Sequence, residues 1–221
     1  LGKSYEVWGL SVTNKSDRIR NLTLSGYAEF TNHNNYEQDQ VNLQYSLFIT
    51  RTLFEKDRII QQIHGNLDTL KADEEVDDKK VTERFFGLAG AEVSSYCGDK
   101  DQFLGKYHGY GDPQGVTSAD LGNVTSYNEN SCGALSCKIT LAPGESRTVI
   151  FLLGMKPSSE AEDIIKSYKK DPAGQIRQEI DTLKADWFAK LDHLKIRTPD
   201  PAFNTMINTW NAYNCFITFV W

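Results

Sequence analysis

Imidazoles, thiols, carboxylates and a dense run of amides are the side chains through which this sequence could do chemistry. The histidines, at 33, 64, 108 and 193, lie far apart, and none has the HxxxH or HxH spacing that sets two imidazoles on one metal. The spacing therefore predicts no metal site. No GxSxG elbow, phosphate-binding loop or GxGxxG at the start of a helix occurs, and the glycines at 105, 109 and 111 sit among aromatics, which argues against nucleotide chemistry. Paired carboxylates, Glu74 with Glu75 and Asp77 with Asp78, fall in the charged stretch Ala72–Lys80. A solvated loop of this kind leaves carboxyl groups untuned. Cys97, Cys132, Cys137 and Cys215 lack CxxC spacing. Cys132 and Cys137 would be sharper as nucleophiles with a histidine nearby, and read more simply as small core residues of a strand. Free thiols in a chain of this size point to a reducing cytoplasm.

Two loops stand out once these groups are set aside. The segment Thr31–Gln40 is crowded with amides able to hydrogen-bond in several directions. Phe103–Pro113 combines turn-forming glycines and a proline with the flat faces of Tyr107 and Tyr110, a composition suited to lining a surface or a partner.

The elements that position these loops follow from periodicity. Apolar residues recur at every second position over Ser4–Val12 and Asn21–Phe30, around the polar knot Thr13–Asp17, which predicts a long antiparallel pair. Further strands are expected at Leu47–Leu53, Arg58–Ile63 and Phe85–Val93. A hairpin is expected from Ala134–Leu141 and Arg147–Leu153, with Pro143 and Gly144 at the centre of a type II turn. After Gly154 the period becomes helical. One helix follows Ser158 or Ser159 as far as about Lys169, and Asp171-Pro172 starts a second, with Ile176, Ile180, Leu183, Trp187 and Leu191 as an apolar stripe. Thr198-Pro199-Asp200-Pro201 opens a third, with Met206, Trp210, Tyr213 and Ile217 along its expected buried face. The order is a β-sandwich first and helices second.

At 221 residues the chain can bury a real core, and no apolar run approaches membrane-spanning length. A formal net charge of −6, with basic residues scattered among acids, argues against a nucleic-acid surface. The opening Leu1-Gly2-Lys3 and the closing apolar run Phe216–Trp221 lead us to expect a piece of a longer protein.

Several segments, in order, resemble the N-terminal half of the cellobiose phosphorylase family, glycoside hydrolase family 94. They are the strand and turn Tyr5–Asp17, the strand Leu22–Phe30, the loop Asp39–Gln44, the stretches Phe103–Tyr107 and Asp112–Val116, the turn Leu141–Ser146, and finally Thr198–Asp200 with Met206–Tyr213. The resemblance implies a mainly β fold: an antiparallel β-supersandwich over residues 1–155, a helical linker over 156–197, and from 198–221 the first helix of an (α/α)6 catalytic barrel. It implies a disaccharide phosphorylase in which inorganic phosphate is co-substrate, no other cofactor is needed, and the catalytic acid lies outside this segment. It also implies a homodimer in which the Asp39–Gln44 loop reaches the partner's active site, so that Asn42 and Gln44 contact the acceptor sugar. Tyr45 stands where cellobiose and chitobiose phosphorylases place an arginine, which points to another acceptor, as in cellobionic acid or laminaribiose phosphorylases. Competing readings are a carbohydrate-binding sandwich using Trp8, Tyr107 and Tyr110, a glucan synthase of the same superfamily, and a purely structural dimerisation domain.

Overall fold

The computed structural model describes residues 3–30, 50–63 and 82–220. They divide into two compact units, one of residues 3–173 and one from residue 174 onward.

The first unit is built of β1 (Tyr5–Thr13), β2 (Arg20–Glu29), β3 (Thr50–Glu55), β4 (Arg58–Ile63), β5 (Thr82–Ala89), β6 (Ser95–Asp99), β7 (Ser131–Leu141) and β8 (Ser146–Gly154); β5 stops at Ala89, short of the expected Val93, and β6 has no counterpart among the expected strands. A five-stranded sheet runs in the order β1-β8-β5-β4-β3, and a three-stranded sheet in the order β2-β7-β6. The expected mainly β, antiparallel sandwich is therefore the observed fold. Between the sheets, Phe86 of β5 and Phe151 of β8 stack with ring centroids 5.6 Å apart. Glycines face them: a Cβ on Gly26 would lie 2.5 Å from the Phe151 ring, and one on Gly133 would lie 2.5 Å from Phe86. The sheets can close over this aromatic pair because the smaller one offers bare backbone there.

Strand pairing departs from the sequence expectation. β1 and β2 do not pair with each other. β1 pairs with β8, from Tyr5↔Gly154 to Thr13↔Ser146, and β2 pairs with β7, from Arg20↔Leu141 to Glu29↔Cys132. The expected β7–β8 hairpin likewise has its turn, in which the Glu145 amide donates to Ala142 O at 3.0 Å and Gly144 has φ 78°, but the turn carries the chain from one sheet to the other. Both corners meet at Asn14. Its buried amide donates to Arg18 O at 2.8 Å and Leu141 O at 2.9 Å, and its backbone exchanges hydrogen bonds with Glu145 and Gly144. Alternation is satisfied by any antiparallel neighbour, so it cannot distinguish a hairpin from a corner; the buried carboxamide does.

Three helices pack onto this unit: α1 (Lys100–Leu104), α2 (Gln114–Thr117) and α3 (Ser158–Lys169). Helix α3 buries Ala161, Ile165 and Tyr168, one stripe at helical spacing, and Ile165 occupies the space that a side chain on Gly87 would need. Ser158 is its first residue rather than its cap. The Ser158 amide donates to the Glu83 carboxylate at 2.6 Å, while its hydroxyl donates to Glu55 and accepts from Arg58. A carboxylate from β5 thus does the N-terminal capping. The buried Arg58 guanidinium also bonds Asp57 at 3.1 Å and Glu55 at 2.9 Å, and Lys169 closes on Asp57 at 2.6 Å.

The second unit holds α4 (Pro172–Leu191) from residue 174 on, α5 (Pro201–Thr205), a π-helical turn over Met206–Asn211 and α6 (Ala212–Val220). The third helix starts within Thr198–Pro201 as expected: Asp200 caps α5, accepting from the Ala202 and Phe203 amides, with Pro201 in the first turn. The buried faces expected here are not buried. Met206 and Trp210 are each 52% exposed, and Ile180 and Leu183 are exposed on α4. One reason is the π turn, whose wider repeat breaks the four-three spacing on which the stripe depended. What does pack is an aromatic group in which Trp187 meets Tyr213 at 5.8 Å and Phe216 at 5.1 Å, with the Lys190 ammonium over the Phe216 ring.

Candidate functional site

Asn42, Gln44 and Tyr45, and with them the amide segment, lie outside the described residues, as do His33, His64 and the charged stretch Ala72–Lys80. The strands that bracket the amide segment are described. β2 delivers the chain to Phe30 from the small sheet, and β3 takes it up at Thr50 on the edge of the large one.

At the end of β2 lies a polar node that the sequence did not single out. Glu29 accepts three hydrogen bonds: from the Tyr110 hydroxyl at 2.5 Å, from the Tyr27 hydroxyl at 3.0 Å and from Lys100 Nζ at 3.0 Å. Partial burial raises the carboxyl pKa, but the bonds from Tyr110, Lys100 and Tyr27 outweigh it and hold the group below its ordinary range. Burial, with Cys132 and Glu29 adding, pushes the Tyr27 phenol up, and the Lys100 ammonium is held charged by Tyr110 and Glu29. Tyr27 and Glu29 share a face of β2 by strand alternation, and the Tyr27 ring stacks on Phe103 of α1 at 4.4 Å. The node thus fastens the aromatic loop after α1 onto the outer face of the small sheet.

Beside it runs a groove of about 550 Å3 whose walls include Tyr5, Glu6, Glu29, Phe30, Arg84 and Leu153. Carboxylates, a guanidinium and aromatic faces together suit a polyhydroxylated ligand. Trp8, on the same strand as Tyr5 and Glu6, donates its indole N–H to Glu6 at 2.9 Å.

A hydrogen bond with Cys132 pulls the Cys97 thiol down against its burial, but that thiol is enclosed in the core. Cys97, Cys132 and Cys137 are buried and free, as expected of core residues, and Cys215 is free and exposed. A hydrogen bond with Cys97 and burial together push the Cys132 thiol up, and burial does the same to Cys137. Among the described histidines, His108 Nδ1 lies 3.0 Å from the Asp112 carboxylate and His193 Nδ1 lies 3.0 Å from Lys190 O. Neither has a nucleophile beside it.

Two antiparallel sheets, with a carboxylate-centred polar node and an aromatic loop on the smaller one, define a β-sandwich domain. The family model described as "Glycosyl hydrolase 94, supersandwich domain" matches residues 1–171, and the chain belongs to that family. It is similar, at 27% identity over 221 residues, to the N,N'-diacetylchitobiose phosphorylase of Vibrio proteolyticus, covering 100% of this chain and 26% of that protein. It is 27% identical over 215 residues to the solabiose phosphorylase of Paenibacillus borealis, covering 93% of this chain and 25% of the relative. The third similarity, 28% over 206 residues, is to the cyclic beta-(1,2)-glucan synthase NdvB of Rhizobium meliloti (strain 1021), covering 92% of this chain and 7% of that protein. The chain thus spans about a quarter of the length of the two phosphorylases. No helix of the described residues is long and apolar enough to cross a membrane.

Proposed function

We propose that this chain is the sandwich part of a cytoplasmic, homodimeric phosphorylase that cleaves a β-linked glucosyl disaccharide with inorganic phosphate. The observation that carries this reading is the family match together with two relatives, named for phosphorolysis of disaccharides, that align along nearly the whole chain. Phosphate attacks the anomeric carbon from the face opposite the leaving sugar while a general acid protonates the glycosidic oxygen. The anomeric configuration inverts, and α-glucose 1-phosphate results. Phosphate takes the place held by activated water in an inverting hydrolase. This reading assigns the acid to a part of the full-length protein outside this segment.

The role assigned to this part is scaffolding and acceptor selection. On this reading Asn42, Gln44 and Tyr45, which fall between β2 and β3 in the sequence, contact the acceptor in a partner's active site. A phenol at Tyr45 in place of a charged fork favours an acceptor other than plain cellobiose.

The deciding experiment is phosphate-dependent release of α-glucose 1-phosphate by the full-length protein from cellobiose, cellobionic acid, laminaribiose, solabiose and N,N'-diacetylchitobiose. Release from one of them establishes the reaction and names the acceptor; no release from any retires the reading. In the full-length protein Gln44→Ala should raise KM for the disaccharide about tenfold, the loss of one or two hydrogen bonds, with the dimer intact by light scattering. Dissociation without a KM change would assign the loop to assembly alone. The likeness to a glucan synthase favours a second reading, transfer of glucosyl units to a growing chain. Chain elongation from a glucosyl donor without phosphate dependence would select it.

A further inference from the structure

The outer face of the small sheet carries a second groove, of about 620 Å3, built by the segment between β6 and β7. Its rim holds Asp101, Gln102, Lys106 and Gln114, and its floor includes Leu121 and Val124. Helix α1 fixes one wall: Asp99 caps it through the Asp101 and Gln102 amides, and Asn130 Nδ2 donates to the Asp101 carboxylate at 3.3 Å. Gly105 fixes the other. At φ 82° it takes a conformation that glycine tolerates, and a Cβ there would stand 2.2 Å from Gln114 Oε1, so the amide lies directly over bare backbone. Gln102, Lys106 and Gln114 make no side-chain hydrogen bond among the described residues.

The next residue in the chain supplies an aromatic face. Tyr107 is fully exposed, and at φ 66° it stands in the left-handed region that a bulky residue rarely occupies. The loop holding it is tied on both sides. The His108 amide donates to Gly105 O at 3.3 Å, the Asp112 carboxylate takes the Gly109 amide at 3.2 Å, and Tyr110 is anchored on Glu29.

We propose that this groove, with Tyr107 next in the chain to Lys106 of its rim, forms a second carbohydrate site, separate from the residues assigned to the acceptor, which takes a neutral oligosaccharide of a few units; that these units are β-linked glucose rests on the preceding reading. Amides and carboxylates match sugar hydroxyls, the apolar floor and the phenol ring match the C–H faces of pyranose rings, and the open shape suits a chain better than a single small molecule. The mixed charge of Asp101 and Lys106 does not suit a phosphate or another anion.

Calorimetric titration of the full-length protein with cellotetraose and laminaritetraose tests this. We expect millimolar binding of at least one tetramer, weakened fivefold or more by Gln102→Ala combined with Tyr107→Gly. Because the glycine relieves the left-handed backbone, the melting temperature should not fall. In the wild-type protein the ring signals of Tyr107, read by NMR with labelled tyrosine, should shift along the same titration, a measurement independent of any variant's folding. Absence of binding, equal binding by the double variant, or unmoved Tyr107 signals overturns the proposal. Phosphate-dependent turnover, measured on the same preparations, decides the preceding reading and not this one.

Discussion

Glu29 holds three donors at once, and that arrangement makes it a titrating part of the fold. Its carboxyl sits below the ordinary glutamate value of 4.5, so its contribution is fully present above that value and is lost as pH falls through the lower folded one. Glu29→Gln should therefore be less stable than the parent at pH 7. The two denaturation curves should converge as the solution is acidified below about pH 4; parallel curves down to acid would show that the carboxylate contributes nothing. Tyr107→Gly should stabilise the chain by up to about 1 kcal/mol, the left-handed penalty less the entropy of glycine, read as a raised denaturation midpoint. This node was not legible in the sequence. Lys100 and Tyr110 lie 71 and 81 residues from Glu29, and no local pattern links a strand end to a loop at that distance. Strand alternation puts Tyr27 and Glu29 on one face but says nothing of what meets them there. Asn42, Gln44 and Tyr45 became legible only through family resemblance, because amides in a polar run have no periodicity to read.

Among the elements, the two corners carry most of what alternation could not tell. Strands β4 and β8 match their expected spans nearly to the residue, because each is a short run rich in β-branched and apolar residues with turn residues just before it. Their partners do not follow from that, since the choice between hairpin and corner rests on one buried amide. Asn14→Ala removes that amide and leaves Arg18 O and Leu141 O short of a donor, with an expected cost of about 2–3 kcal/mol by urea denaturation. A loss under half that would move the corner's strength to the backbone bonds with Glu145 and Gly144. Gly26→Ala tests the other side of the same packing. A methyl 2.5 Å from the Phe151 ring forces the sheets or the ring to move, at about 1–3 kcal/mol. The helical stripes were legible as spacing but not as burial: Trp187 found Tyr213 and Phe216, whereas Met206 and Trp210 sit on a π turn that spacing does not announce.

On the scale of the molecule, the two units differ in what protects them. Strands β5, β7 and β8 contribute most of the fully buried side chains, whereas no described side chain from residue 174 onward is fully buried. In a chain of this sequence, amide exchange followed by mass spectrometry should find peptides of β7 and β8 slower than those beyond residue 174 by on the order of a thousandfold. Equal protection would mean that the helices share the sandwich's cooperative unit. The first strand raises a separate matter, that of timing. Among the described strands β1 pairs only with β8, and Tyr5 meets Gly154. A ribosome adding about 5–20 residues per second leaves β1 without its neighbour for roughly ten seconds or more. Throughout that wait the nascent chain presents Trp8 and Leu10 on an unpaired edge, which makes the early polypeptide a natural client for a chaperone until the eighth strand arrives.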